Sequence, residues 1–237
     1  MPEAAVIELI RSEPELARLS SILKGMGSVA IAYSGGVDSA FLLKVATAVL
    51  GEDAHGVLAV SESLDRNELE AARELACQQG FSLSVIETHE YENPLYRRNG
   101  PDRCYHCKTE LFNEVRRFAS GEGIRWVLDG SHAGDVGDYR PGLKARDEQG
   151  VRSPLMEAGL FKDDIRKLSR LLGLPTWDKP AAPCLSSRIP YGAEVTMEKL
   201  RQVEALEGTL SSLGFEIRRV RHYGETARIA VPLDRLE

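Results

Sequence analysis

The stretch Val-Ala-Ile-Ala-Tyr-Ser-Gly-Gly-Val-Asp-Ser, residues 29–39, decides the fold class of this chain. Its first five residues are apolar or aromatic and favour a buried strand, and an amphipathic helical pattern follows over 40–50. Two adjacent glycines let backbone N–H groups approach an anion closely, and a helix N-terminus directs unpaired N–H groups and its positive dipole end to the same point. The order of strand, tight loop and helix therefore predicts a phosphate-binding loop, to which Ser34 and Ser39 add hydroxyl donors.

The last residues of this loop restrict the reactions that a bound nucleotide can undergo. A P-loop closes with Gly-Lys-Ser or Gly-Lys-Thr, and its lysine holds the terminal phosphate during phosphoryl transfer. Here the loop closes with Val-Asp-Ser, so it contains no such lysine. A nucleotide can still bind, but transfer of its terminal phosphate is not the predicted reaction.

The first two thirds of the chain alternate short β-rich runs with helical patterns. This alternation predicts an α/β fold, with a parallel sheet sandwiched between helices. The predicted strands are 29–33, 56–60, 82–87 and 126–129, and two of the predicted helices are 65–79 and 163–172. Active sites of such sheets collect at the carboxyl ends of the strands, where the phosphate loop, Ser61 and the segment 129–132 all fall.

The last third has a different pattern. An irregular stretch over 174–193 contains four prolines, and one helix and two strands (215–222 and 226–231) are predicted after Thr196. We therefore expect a main domain over 1–180, a connecting loop over 181–195 that bears Cys184, and a small α+β domain over 196–237 for substrate binding or oligomerisation. Because the sequence stops soon after a predicted strand, we expect the native chain to continue.

Bulk properties exclude several functional classes. A chain of 237 residues with 43% hydrophobic and 28% charged residues is typical of a globular protein with one core and a small satellite. The net charge of −6 argues against a nucleic-acid partner, and no apolar run is long enough to span a membrane. The N-terminus lacks the basic and apolar pattern of a secretory signal, which predicts the cytoplasm.

Three of the four cysteines stand in patterns that suggest chemistry. Cys104 and Cys107 have the C-x-x-C spacing that brings two sulfurs to one metal, cluster or disulfide, and Cys184 lies between prolines four residues before Arg188. Zinc would need a fourth ligand, with His106 or His132 as candidates, whereas three thiolates suit a cubane iron–sulfur cluster with one open iron.

Arg188 and the fourth cysteine, Cys77, carry separate expectations. A guanidinium near Cys184 favours its thiolate, the nucleophilic and sulfur-donating form. Cys77 lies on the predicted helix 65–79, and we expect it to be a buried small apolar residue.

Five motifs together resemble one family. They are SGGVDS at 34–39, RCYHCK at 103–108, DGSHAGD at 129–135, RPG at 140–142 and PCLSSRIPYG at 183–192. The first is similar to the pyrophosphate-binding signature of the ATP pyrophosphatase (PP-loop) superfamily. As a set they resemble the LarE family, whose members are ATP-dependent sulfur transferases that help to build a nickel-pincer nucleotide cofactor.

The resemblance implies a reaction and its cofactors. ATP with Mg²⁺ adenylates a carboxylate of pyridinium-3,5-biscarboxylic acid mononucleotide, pyrophosphate leaves, and a sulfur nucleophile displaces AMP to give a thiocarboxylate. Residues with an implied nucleotide or metal role are Ser34, Gly35, Gly36, Asp38, Ser39, Ser61, Gly130 and Asp135. Asp135 is also expected to hold metal or to position Arg140. Arg188 is expected to bind a phosphate or carboxylate of the substrate, while Glu207 and Asp234 are weaker candidates for a second metal or the substrate.

Two sulfur sources follow from the family. In one branch, a single cysteine matched by Cys184 forms a thioester, gives up its sulfur and becomes dehydroalanine. In the other, Cys104, Cys107 and Cys184 hold a [4Fe-4S] cluster whose open iron carries the sulfide that is transferred. Because all three cysteines are present, the sequence favours the cluster. The family precedent also implies a homo-oligomer, with a hexamer as one form.

Other functions stay open at this point. An amidotransferase-type synthetase or a tRNA thiolase would use the same loop, although no glutaminase domain or RNA-binding extension is visible in the sequence. A metal-binding or redox-sensing module that retains a nucleotide fold is the alternative from a different class.

Overall fold

A computed structural model describes residues 3–135, 141–215 and 219–233 of the chain. The helices are α1 (Glu3–Ser12), α2 (Pro14–Met26), α3 (Val37–Leu50), α4 (Arg66–Gln79), α5 (Pro94–Arg97), α6 (Arg103–Gly121), α7 (Pro141–Glu148), α8 (Pro154–Glu157), α9 (Lys162–Leu171) and α10 (Met197–Ser212). The strands are β1 (Val29–Tyr33), β2 (Ala54–Val60), β3 (Leu83–Glu87), β4 (Trp126–Leu128), β5 (Arg219–Tyr223) and β6 (Thr226–Ala230).

Four of the strands form one parallel sheet in the order β3-β2-β1-β4. The α/β prediction is confirmed, and each of these strands agrees with its predicted bounds to within about two residues. Val29, Ala30 and Ile31 are fully buried because helices cover both faces of β1, which explains its continuous apolar run.

The strand order places the phosphate loop at a topological switch point. From β1 the chain moves outward through β2 and β3, and it then returns to the other side of β1 to form β4. The loop after β1 therefore lies beside the loop after β4, in the crevice where ligands of open α/β sheets bind.

Two apolar layers cover the sheet. On one face the main core joins helices α1 to α4, α8 and α9, with Leu16, Phe41 and Leu168 among its buried members. On the other face α6 packs through Phe112 and Val115. The sandwich of helices around the sheet is thus complete on both sides.

A third core lies outside the sheet. It joins Tyr96 of α5, Leu185 and Ile189 of the predicted connecting loop, and Leu200 and Val203 of α10. The stretch 181–195 is therefore packed against α5 and α10. It contains a short 3-10 helix, Leu185–Arg188.

The C-terminal strands form an antiparallel hairpin, β5 with β6. A strand was predicted over 215–222, and the observed strand β5 spans Arg219–Tyr223. Residues 216–218 lie outside the described residues. Predicted strand 226–231 ends at Ala230. The domain boundaries stay a prediction.

The prediction for Cys77 is wrong, because its side chain is exposed. The buried face of α4 carries Ala72, Leu75 and Ala76, whereas Cys77 lies one helical turn after the exposed Arg73. In the described part of the chain, no helix combines the length and apolar character that crossing a membrane requires.

Candidate active site

The phosphate loop is shaped by Gly35 and closed by two serines. Gly35 has φ +68°, and a Cβ there would lie 2.6 Å from Ala72 Cβ, so only glycine fits. Ser34 N–H donates to Ser39 Oγ at 3.2 Å, and the two hydroxyls lie 3.1 Å apart. Gly36 is the N-cap of α3 and has no side chain that could cap the helix. The first N–H groups of α3 are therefore free of a side-chain cap and available to an anion in the loop.

Two lysines from distant parts of the chain lie at this loop. Lys162 Nζ is 2.7 Å from both carboxylate oxygens of Asp38. Lys179 Nζ is 2.8 Å from Glu68 Oε2 and 3.3 Å from the carbonyl oxygen of Gly35. The fold thus places two cations at the loop, although the loop sequence itself contains none. No local sequence motif around Lys162 or Lys179 predicted this.

The other predicted nucleotide residues lie at the same edge of the sheet. A Cβ on Gly130 would be 3.1 Å from the backbone nitrogen of Ser39, so glycine allows β4 and the start of α3 to approach. Ser61 follows β2, and its hydroxyl lies 3.0 Å from that of Ser63.

Asp135 is 3% exposed and ends a short 3-10 helix, Ala133–Asp135. Its carboxylate accepts the backbone N–H of His132 at 3.0 Å, and His132 Nε2 lies 3.5 Å from its other oxygen. Arg140, the predicted partner of Asp135, lies outside the described residues.

Cys104, Cys107 and Cys184, called here the thiol group, come from two elements. Cys104 and Cys107 lie in the first turns of α6, and Cys184 is the N-cap of the 3-10 helix Leu185–Arg188. Burial raises the pKa of Cys107, and the charges of Glu90 and Cys184 raise it further. Burial also raises the pKa of Cys184, but the Arg103 guanidinium opposes that rise. A cation therefore faces Cys184, whereas an anion faces Cys107.

The thiol group is not a finished metal site. Over the residues the structure describes, no set of three or more His, Cys, Asp or Glu side chains is placed to hold a metal ion. The two histidines considered as zinc ligands are paired with carboxylates instead, His106 with Asp102 at 3.3 Å and His132 with Asp135.

A buried clamp fixes the Cys184 loop against α6. Asn99 is fully buried with φ 57°, and its Nδ2 donates to the carbonyl oxygens of Ile189, Pro190 and Ala193 at 3.2, 2.8 and 2.9 Å. Arg103 Nη1 donates to Asn99 Oδ1 and to the carbonyl oxygen of Ser186, both at 2.7 Å. These bonds set the position of Cys184 relative to the C-x-x-C turn.

Arg188 is tied to the C-terminal helix. Its guanidinium and the Glu207 carboxylate form a two-bond ion pair at 2.9 and 3.0 Å, and the two residues are 7% and 4% exposed. Nη1 also donates to the carbonyl oxygen of Pro183 at 2.6 Å. Arg188 and Glu207 therefore bind each other, and their contacts with substrate or metal stay predictions. Asp234, the other predicted residue of the small domain, lies outside the described residues.

Two cavities share Arg188 in their lining. The first, named here the lysine–arginine cavity, has a volume of about 290 Å³. Its lining combines cations, carboxylates and apolar side chains, among them Lys179, Arg188, Arg219, Asp65, Glu68, Glu207, Pro183 and Leu185. The second, named the arginine–tyrosine cavity, has about 210 Å³. It is lined by Arg103, Ser187, Arg188, Ile189, Pro190, Tyr191, Arg221 and Tyr223. Lys179, which contacts Gly35 of the phosphate loop, lines the first cavity together with Pro183 and Leu185, the neighbours of Cys184. Arg103, which lies beside the Cys104 sulfur, lines the second.

Comparison with known proteins agrees with this geometry. The chain is 45% identical over 225 residues to an uncharacterised protein of Synechocystis sp., covering 95% of this chain and 84% of that protein. It is 41% identical over 221 residues to the pyridinium-3,5-bisthiocarboxylic acid mononucleotide synthase of Lactiplantibacillus plantarum, covering 93% and 80%. A glutamine-hydrolyzing GMP synthase of Bdellovibrio bacteriovorus is 29% identical over 196 residues, which is 73% of this chain and 38% of that protein. No family model matches the chain.

The parallel sheet, the loop at its switch point and the likeness to GMP synthases define an enzyme of the PP-loop superfamily. Within that class the 41% identity to the synthase of L. plantarum, over most of both chains, is decisive. The chain belongs to the LarE family.

Proposed function

We propose that this chain uses ATP to activate a carboxylate of pyridinium-3,5-biscarboxylic acid mononucleotide and then exchanges an oxygen of that carboxylate for sulfur. The relative from L. plantarum is named as the synthase of the corresponding bisthiocarboxylic acid mononucleotide. The lysine–arginine cavity is the observation that carries the proposal. Lys179, which contacts the phosphate loop, lines it together with Pro183 and Leu185 on either side of Cys184. An activated carboxylate in this cavity would have the phosphates on one side and the thiol on the other.

The phosphate loop supports the first half of the reaction. Its N–H groups and the dipole of α3 favour the triphosphate, and Lys162 and Lys179 would offset charge as pyrophosphate leaves. The substrate carboxylate attacks the α-phosphorus of ATP, so one oxygen of that carboxylate becomes bonded to AMP. Activation of this kind gives the carbonyl carbon a good leaving group.

Mg²⁺ fits the donors at this edge. This ion takes one or two carboxylates and completes its shell with substrate phosphates and waters, so it needs no closed set of protein ligands. Asp38 in the first turn of α3 and the buried Asp135 would hold it in exchange for their present partners, Lys162 and His132. When bound, it would neutralise charge on the phosphate oxygens.

The [4Fe-4S] cluster expected from the sequence is not supported by the placement of its three cysteines, since the described residues contain no ready metal-holding group. The cluster stays the alternative sulfur source, and repeated turnover by protein purified without oxygen, with Cys184 intact, would establish it.

Cys184 itself is the sulfur source that the charges around the thiol group favour. Burial raises the pKa of both Cys184 and Cys107, but Arg103 opposes the rise at Cys184 whereas Glu90 adds to it at Cys107. The Cys184 thiolate attacks the activated carbonyl, and AMP leaves with the carboxylate oxygen. A proton then leaves Cα of Cys184, a Cα–Cβ double bond forms, and the Cβ–S bond breaks with its electron pair on sulfur. The products are a thiocarboxylate and dehydroalanine at position 184.

Exchange of labelled pyrophosphate into ATP tests the activation step. We expect exchange that depends on Mg²⁺ and on the pyridinium dicarboxylate mononucleotide. Lys162→Met should raise the KM for ATP by about tenfold, because an ammonium group facing the loop is lost. Lys167→Met is the matched control on the same helix, since its ammonium pairs with Glu13 at 3.8 Å. Absence of substrate-dependent exchange in the wild-type enzyme would refute the proposal.

The proposal also includes the cytoplasm as location and a homo-oligomer as the assembled form, both of which rest on the sequence. Light scattering at several protein concentrations measures the assembly, and a monomer at all of them would contradict it.

A further inference from the structure

The arginine–tyrosine cavity combines two kinds of side chain that a plain phosphate site does not need together. Arg103, Arg188 and Arg221 line it, and so do the rings of Tyr191 and Tyr223. Tyr191 is 64% exposed and Tyr223 is 47% exposed, so both rings have free surface for a ligand.

The charges in this cavity are not equivalent. Arg188 is neutralised by Glu207, whereas Arg103 bonds to the neutral oxygens of Asn99 and Ser186 and lies beside the Cys104 sulfur. Arg221 lies on β5 and lines the cavity together with Tyr223. Guanidinium groups suit carboxylates and phosphate, but they repel a ligand's positive charge. A ligand that is both anionic and cationic therefore needs a second kind of contact for its cation.

The tyrosine rings supply that contact. The face of a tyrosine ring is negative and attracts a cation within about 6 Å of its centroid. Tyr191 already accepts one, because the guanidinium carbon of Arg103 lies 5.7 Å from its centroid.

We propose that Tyr191 and Tyr223 bind the positively charged pyridinium ring of the substrate, while Arg103 and Arg221 face its acidic groups. This inference rests on the proposed function for the identity of the substrate. Arg188 lines both cavities, so a ring bound at the tyrosines would border the lysine–arginine cavity in which a carboxylate is activated. The two tyrosines are then the residues that distinguish a pyridinium from an uncharged aromatic acid.

The test compares two small ligands that differ in ring charge. N-methylpyridinium-3,5-dicarboxylate has a cationic ring, and pyridine-3,5-dicarboxylate has a neutral ring and one more unit of net negative charge. Arginines alone would favour the second ligand. We expect the wild-type protein to bind the first about three- to tenfold more tightly by calorimetry, because of the cation–π contacts.

Variants assign the preference to the rings. Tyr191→Leu and Tyr223→Leu should each reduce it to about twofold or less, whereas Tyr191→Phe and Tyr223→Phe should retain it, since phenylalanine keeps the ring face. Thermal unfolding of each variant checks that the exposed substitutions leave the fold intact. A wild-type protein that prefers the neutral ring or binds neither ligand, or leucine variants that keep the full preference, would overturn the inference.

Pyrophosphate exchange on the same preparations separates this inference from the proposed function. Exchange without a preference for the cationic ring removes the role of the tyrosines and leaves the activation chemistry in place. A ring preference that depends on the tyrosines, without exchange, supports the binding site and removes the activation chemistry.

Discussion

Gly35 shows how one residue connects the fold with nucleotide binding. Its backbone has φ +68°, and a Cβ placed on Gly35 would lie only 2.6 Å from the Cβ of Ala72 in α4. Any side chain at this position must therefore both adopt a left-handed backbone and displace a packed helix.

This gives a prediction with a matched control. Gly35→Ala should lower the free energy of unfolding by about 2–4 kcal/mol and weaken ATP binding at least tenfold, because strain and steric overlap add. Gly123→Ala has the same kind of backbone, φ +69°, but no atom within 4 Å of the new Cβ. It should cost only about 1 kcal/mol and leave ATP affinity unchanged. Urea unfolding and calorimetry with ATP measure both effects, and equal losses in the two variants would contradict the role of Ala72.

At the scale of elements, the pair Arg188–Glu207 ties the 3-10 helix that follows Cys184 to α10. Both side chains are buried, and Glu207 also accepts the backbone N–H of Val220 in β5 at 2.9 Å. Removing one partner leaves a buried charge without its counterion.

We therefore expect Glu207→Gln to lower the free energy of unfolding by about 3 kcal/mol. The double variant Arg188→Met with Glu207→Gln should lose less, because no charge is then left buried alone. Urea unfolding of the two variants provides the comparison. If the double variant were the less stable of the two, the ion pair would not be what holds these elements together.

His55 joins β2 to β3 near their N-terminal ends. Its ring nitrogens lie 2.7 Å from Ser82 Oγ and 2.9 Å from Ser84 Oγ, and its ring packs on Phe118 of α6. Burial lowers the pKa of His55, with an opposing effect from the Glu122 carboxylate.

A lowered pKa in the folded state means that the unfolded chain binds the proton more readily. The contribution of His55 to stability is therefore complete above about pH 6.5 and is lost as the pH falls below that value. We expect the free energy of unfolding to decrease more steeply between pH 7 and pH 5 in the wild type than in His55→Gln. His89→Gln, at an exposed position, serves as control, and identical slopes in all three proteins would refute the prediction.

The sequence predicted the elements of the main body well because their signals are local. The apolar run of β1 and the periodic apolar residues of α4 and α9 each reflect burial of their own segment. Cys77 was misplaced because the helical pattern does not distinguish a residue at the border of the buried face.

The site itself depended on contacts that sequence spacing does not encode. Lys162 and Lys179 reach the phosphate loop from positions more than a hundred residues away along the chain. Asn99 likewise bonds to a carbonyl oxygen 90 residues away, at Ile189. Arg188 was predicted to bind a phosphate or carboxylate of the substrate, which stays a prediction, and its ion-pair partner Glu207 is visible only in the folded chain.

At the scale of the whole molecule, the fold brings the phosphate loop and the segment that bears Cys184 to the same side of the sheet's main body through Lys179, which contacts Gly35 and lines a cavity with the neighbours of Cys184. The phosphate loop lies at the switch point of the sheet, and the clamp formed by Asn99 and Arg103 holds the Cys184 loop against α6. In the proposed reaction, the lysine–arginine cavity holds the carboxylate that is activated at the loop and attacked by Cys184. Activation and sulfur delivery should therefore be separable by a change at the thiol alone.

Reaction of the Cys184→Ser variant with ATP, Mg²⁺ and the pyridinium dicarboxylate mononucleotide tests this most directly, with mass spectrometry of the product and a pyrophosphate assay on the same sample. Cys77→Ser, at an exposed cysteine on α4, is the control. We expect Cys184→Ser to retain substrate-dependent pyrophosphate release and to form no thiocarboxylate, while Cys77→Ser and the wild type form it. Thiocarboxylate formation by Cys184→Ser at the wild-type level would contradict the account.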